Sequence, residues 1–156
     1  MKLFLLVAAG VAAALAAADS KGECPDGWSV NSGFCYKMHQ GYEIRKNFAD
    51  AEAHCVSQGG HLASIHSEAE DKFVTSLFDL NTPDMNFFFW IGAHANVLPN
   101  YGWTDGSPFD YTNWMDTAFF PLDEPCGIFF TGADNKWTVV KCSIKQNYLC
   151  KRSVGK

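Results

Sequence analysis

The sequence predicts an α+β domain: two helices in its first half, short antiparallel sheets in its second, and a long structured loop region set among the strands. Three observations carry that prediction. Two segments before residue 80 repeat apolar residues at helical spacing. Short aromatic and β-branched runs bounded by turn residues follow them. Six cysteines, at 24, 35, 55, 126, 142 and 150, are spread over the whole of that span.

The chain begins with Lys2 and an apolar run from Leu3 to Ala18, in which Ala16-x-Ala18 precedes Asp19. A short basic start, a compact apolar stretch and a small-residue cleavage site read as a secretory signal peptide over 1–18. The run is alanine-rich, shorter than a bilayer span and not followed by a charged stop, so no membrane span is expected. The expected product is secreted and extracellular, one domain over residues 19–156.

Cys24-Pro25-Asp26-Gly27-Trp28 and Gly33-Phe34-Cys35-Tyr36 flank a turn at Asn31-Ser32-Gly33. They read as a hairpin that a Cys24–Cys35 bridge would close. Phe48, Ala51 and Cys55 then fall three and four apart, with Asn47 as N-cap and Gly59-Gly60 as the stop, which predicts an amphipathic helix. His61-Leu62-Ala63-Ser64-Ile65 alternates as a short strand would. Ser67 and Glu70 form a capping box for a second helix whose buried stripe is Phe73, Val74, Leu77 and Phe78, ending before Pro83.

The second half is built of strands and turns. Phe87-Phe88-Phe89-Trp90-Ile91-Gly92 is a continuous apolar run, expected to be a strand buried on both faces. Gly102-Trp103-Thr104-Asp105-Gly106-Ser107-Pro108 is dense in turn residues and leads to Trp114. Between Trp114 and Cys126 lie two prolines, which exclude a central strand or helix interior and predict a structured loop. Residues 126–130 and 136–140 read as a hairpin around Gly132-Ala133-Asp134-Asn135, and Asn147-Tyr148-Leu149-Cys150 as a last short strand.

Composition narrows the function. Discounting Lys2 from the 12 basic residues leaves 11 against 17 acidic ones, a net charge of −6, with no basic run. Nucleic acid and anionic membrane surfaces are therefore poor partners. An even cysteine count in a secreted chain implies three disulfides, for which 15 pairings are open. No Cys-x-x-Cys pair suggests a zinc ribbon or redox site. Asn81-Thr82-Pro83 is not a usable glycosylation sequon.

Taken together, several motifs resemble the C-type lectin-like domain family. They are Cys24-Pro25-x-Gly27-Trp28 with Phe34-Cys35-Tyr36, Ala51-x-x-x-Cys55, and Gly60-His61-Leu62-Ala63-Ser64-Ile65. Trp90-Ile91-Gly92, Trp103-x-Asp105-Gly106-Ser107-Pro108, Trp137, Cys142 and Leu149-Cys150 continue the match over essentially the whole of residues 19–156. The resemblance implies the C-type lectin-like fold and the pairing Cys24–Cys35, Cys55–Cys150 and Cys126–Cys142, leaving no cysteine for a covalent dimer. It also implies a non-catalytic protein that recognises an extracellular glycan or protein ligand, often in defence.

Members that bind sugar through calcium carry Glu-Pro-Asn or Gln-Pro-Asp soon after the tryptophan matching Trp114. They add a Glu two residues before the cysteine matching Cys126, and Asn-Asp after the tryptophan matching Trp137. Calcium needs six to eight oxygens, so the whole set matters. Here the first motif falls on Ala118-Phe119-Phe120, the Asn-Asp pair becomes Thr138-Val139, and Glu124 alone matches in position. Asp116 and Asp123 could be recruited, but no calcium is expected at this position and no cofactor is required. The candidate ligand-binding residues are Asp116, Phe119, Phe120, Asp123, Glu124 and Thr138, with Glu124 the single candidate metal ligand. Phe119-Phe120-Pro121-Leu122 reads either as a satellite core or as an apolar patch rimmed by acids. The alternatives to a calcium-free recognition protein are a calcium-dependent lectin with a divergent site and a structural matrix or secretory-fluid component.

Enzymatic readings find little support. The histidines at 39, 54, 61, 66 and 94 lack a two-histidine helix signature and read as surface or structural residues. Trp103, Trp114 and Trp137 are expected in the core rather than as sugar-stacking platforms.

Overall fold

The computed structural model describes residues 22–81, 83, 86–97, 100–116, 125–131 and 134–155. The leader expected over 1–18 lies outside them. Strands β1 (Ser29–Asn31) and β2 (Phe34–His39) form the expected hairpin. Ser32 at φ 48° and Gly33 at φ 82° supply the left-handed pair that a two-residue type I′ turn requires.

Helix α1 (Phe48–Ser57) starts where Asn47 accepts the Asp50 N–H at 2.8 Å. It buries Phe48, Ala51 and Cys55 and stops at Gly59, whose φ of 83° suits the position after the C-cap. The expected five-residue strand at 61–65 is shorter than its sequence suggests: β3 is His61–Leu62 alone. Its alternation also fails, because Leu62, Ala63, Ser64 and Ile65 are all buried. The segment is wedged into the sheet, with Ala63 N–H on Leu149 O and Gly92 N–H on Ala63 O, so neither face meets water.

Helix α2 (Glu68–Ser76) is capped by Ser67, which accepts the Glu70 N–H at 3.1 Å. The return half of the capping box is absent. Glu70 Oε2 accepts instead from His66 N–H, while Oε1 accepts from Tyr36 Oη and Lys151 Nζ, each at 2.5 Å. Val74 and Phe78 are buried as expected, and Phe73 and Leu77 are half-buried.

β4 (Phe88–Val97), β5 (Asn100–Trp103), β6 (Pro125–Phe130), β7 (Lys136–Lys141) and β8 (Asn147–Ser153) complete one connected sheet. Its order is β1-β2-β8-β4-β6-β7, with β3 on β8 and β5 on β4. The last strand is therefore central, and its pairing with β4 is parallel. Gly102-Trp103, expected as turn, closes β5, because the chain doubles back on β4 with Ala93 opposite Trp103. Pro125, expected in the loop, opens β6, a position where its missing donor costs no ladder bond.

Period-two alternation sorts the side chains onto two faces. Phe89, Ile91, Phe129, Trp137 and Leu149 join Val74 and Phe78 of α2 in one core. Trp90, Ile128, Tyr148 and Cys150 join Phe48, Ala51 and Cys55 of α1 in the other. The bridges Cys24–Cys35, Cys55–Cys150 and Cys126–Cys142 are those the family resemblance implies, and no described cysteine is free.

Candidate functional site

The segment that the sequence singles out starts on a fixed platform. Trp137 N–H donates to Asn113 O and Met115 N–H donates to Trp137 O, so residues 113–115 run parallel along the outer edge of β7. The Trp114 ring meets Trp137 edge-on at 5.5 Å. Trp137 is fully buried, Trp103 nearly so, and Trp114 half-buried, which places all three in or against the core.

Asp71 holds this platform to α2. Its carboxylate is 4 % exposed and accepts from Trp137 Nε1 at 3.0 Å, Tyr111 Oη at 3.1 Å and Asn113 Nδ2. Asn113 Oδ1 in turn accepts from Lys136 Nζ at 2.6 Å. Burial pushes the Asp71 pKa up, against the pull of the three donors and Lys136. Desolvation and the Asp71 charge push the Tyr111 hydroxyl up to about 12. Sequence reasoning missed Asp71, although a signal exists. It stands three residues before Val74 and seven before Phe78, so an acid interrupts the buried stripe and must find partners there.

The other end of the segment is fixed on the opposite side of β7. Pro125 pairs with Lys141, Cys126 with Val140, and Cys126 is bridged to Cys142. The two anchor points on β7, Trp137 and Lys141, are about 13 Å apart along the strand.

Asp116 is exposed just beyond the platform, and Thr138 is half-buried in β7 opposite Ile128. No hydrogen bond joins Asp116 to Thr138 among the described residues. Val139 is 4 % exposed and belongs to the core. Phe119, Phe120, Asp123 and Glu124 lie outside the described residues, among which no group of three or more His, Cys, Asp or Glu side chains is placed to hold a metal ion.

The sequence model of the Lectin C-type domain matches residues 44–152. The chain belongs to the C-type lectin domain family. Among its relatives is a snaclec of Trimeresurus stejnegeri named as a coagulation factor IX/factor X-binding protein, at 32 % identity covering 96 % of this chain and 99 % of the relative. The galactose-specific lectin nattectin of Thalassophryne nattereri is also 32 % identical, over 97 % of this chain and 94 % of its own. Of solved structures, a calcium-independent type II antifreeze protein matches at 30 % identity with a TM-score of 0.72, covering 84 % of this chain and 95 % of that one. Human lithostathine matches at 27 % identity with a TM-score of 0.76, over 86 % and 93 %.

Within this C-type lectin domain one constellation has the outline of a hydrolase and fails on chemistry. Ser107 Oγ lies 3.1 Å from His66 Nε2, and His66 Nδ1 lies 2.8 Å from Asp110 Oδ1. The single Ser107 hydroxyl proton has a nearer acceptor, Asp105 Oδ1 at 2.5 Å. Ser107 N–H is also spent on Asp105, and Gly106 N–H on Trp103 O, so neither of these two amides is free to serve as an oxyanion donor. The trio braces the turn after β5 against the start of α2. His61 likewise pairs with Glu52 at 2.6 Å, a structural role for the histidine as its sequence context suggests.

Proposed function

We propose that this C-type lectin domain is a secreted, non-catalytic recognition protein that binds an extracellular glycan or protein ligand without calcium at the usual sugar position. The observation that carries this reading is the state of the residues that would complete a calcium shell. Val139 is an apolar side chain closed into the core, Thr138 offers a lone hydroxyl, and Cys126 is committed to a disulfide. Glu124, with Asp116 and Asp123 at most, leaves calcium two or three carboxylates without the side-chain amide oxygens that complete the usual shell, a weak site.

The relatives support both ligand classes, since one is named as a galactose-specific lectin and another as a coagulation-factor binder. A structural neighbour named as calcium-independent supports the view that such a scaffold stands without the ion. The contact segment is 115–125. Its ends are held by Trp137 and by the Cys126–Cys142 bridge, while Phe119 and Phe120, with Asp116, Asp123 and Glu124 near them in sequence, give it a composition that suits a protein or amphipathic surface.

The test is binding in chelator to galactose resin, a printed glycan array and a panel of extracellular proteins. Replacing Phe119 and Phe120 by Ser is expected to abolish the chelator-resistant binding while leaving the melting temperature unchanged. Binding that disappears in chelator, or a melt that collapses with the substitution, contradicts the proposal.

A further inference from the structure

The end of α1 is fastened to the sheet by a chain of polar groups that the recognition site does not use. His39 on β2 is 8 % exposed and stacks on Tyr148 of β8 with ring centres 4.6 Å apart. His54 on α1 meets the His39 ring edge-on at 4.9 Å. Gln58, the C-cap of α1, lies between them: its Oε1 is 3.3 Å from His39 Nε2 and its Nε2 is 3.3 Å from His54 Nε2. His54 Nδ1 is 2.8 Å from Tyr148 Oη.

One assignment satisfies every member. His39 Nε2–H donates to the Gln58 carbonyl, the Gln58 amide donates to His54 Nε2, and His54 Nδ1–H donates to Tyr148 Oη. Both imidazoles are then neutral. A proton on His54 Nε2 would face the Gln58 amide. The amide can turn over to accept it, provided His39 moves its own proton to Nδ1 and accepts from Gln58. A second proton cannot be accommodated, because two N–H donors would then face a side chain with one acceptor.

The charges around the cluster have the same sign. Lys37 on β2 and Lys46 before α1 raise the potential at both rings, and Arg152 of β8 donates to Gln58 O at 2.9 Å. Tyr148, whose hydroxyl burial pushes upward, supplies no negative charge. Burial and the neighbouring His54 lower the His39 pKa from 6.5 to about 4, and burial followed by Lys46 and Lys37 lowers that of His54.

We infer that His39, Gln58 and His54 form an acid-sensitive latch that tolerates one proton and opens on the second, releasing the last turn of α1 from the sheet. The Cys55–Cys150 bridge still ties that helix to β8, so the opening is local. The sign follows from the depressed His39 pKa. Its unfolded counterpart binds a proton first as pH falls, so the latch contributes fully above pH 6.5 and is lost progressively between 6.5 and about 4.

Hydrogen exchange of the amides at 55–60, corrected for intrinsic rate, tests this between pH 7 and 4.5. The expected result is at least a tenfold loss of protection there, with the β4–β6 amides unaffected. In Gln58→Glu a carboxylate can accept from both imidazoles, and protection should persist to pH 4.5. Protection that does not change with pH in the wild-type chain, or that is lost equally in Gln58→Glu, overturns the latch. So does a His39 ring resonance titrating near 6.5, a readout that needs no substitution.

Discussion

Glu70 and Lys151 show how a residue's role can be hidden in a correct local assignment. Glu70 reads as half of a capping box, yet its carboxylate sits inside the fold with Lys151 Nζ at 2.5 Å, and Lys151 also donates to Ser64 O at 2.9 Å. Both residues are buried. A buried pair adds little over an apolar pair, but breaking it strands a charge. Lys151→Met is accordingly expected to cost about 3–5 kcal/mol in urea unfolding, and Glu70→Gln with Lys151→Met to recover most of that. A double variant no more stable than the single one would refute this view of the pair. The same blindness hid Asp71: spacing places an acid on a buried face, but only the fold delivers Trp137, Tyr111 and Asn113 to it from far along the chain.

At the scale of elements, the local signals were legible and the long-range ones were not. The Asn47 cap, the Ser32-Gly33 turn, the 126–130 and 136–140 hairpin and the buried run through Trp90 all follow from residue types near one another in sequence. The central place of β8 and its parallel partner β4 do not, since pairing between distant segments leaves no local pattern. Glycines mark some of those close approaches. A Cβ on Gly127 of β6 would stand 2.5 Å from Ala93 Cβ and 3.0 Å from Ala93 O on β4. Gly127→Ala should therefore destabilise by about 1–3 kcal/mol through overpacking, and Ala93→Gly in the same chain should restore part of the loss. A Gly127→Ala protein with wild-type stability would show that β4 and β6 can separate freely.

For the whole molecule, three disulfides, two cores and one connected sheet build a frame that holds the two ends of the segment between Trp114 and Cys126. The frame was readable because cysteines, tryptophans and glycines mark it, and their spacing survives in the chain. The candidate site was readable only in part. Its ends at Trp114 and Cys126 are structural residues fixed by the core, whereas Phe119, Phe120, Asp123 and Glu124 between them, the contacts we propose, carry no spacing pattern that the fold dictates. The most direct test of calcium-free recognition is calorimetric titration of the folded protein with calcium to millimolar concentration. No saturable heat is the predicted result. A one-to-one binding heat that disappears in Glu124→Gln would contradict it.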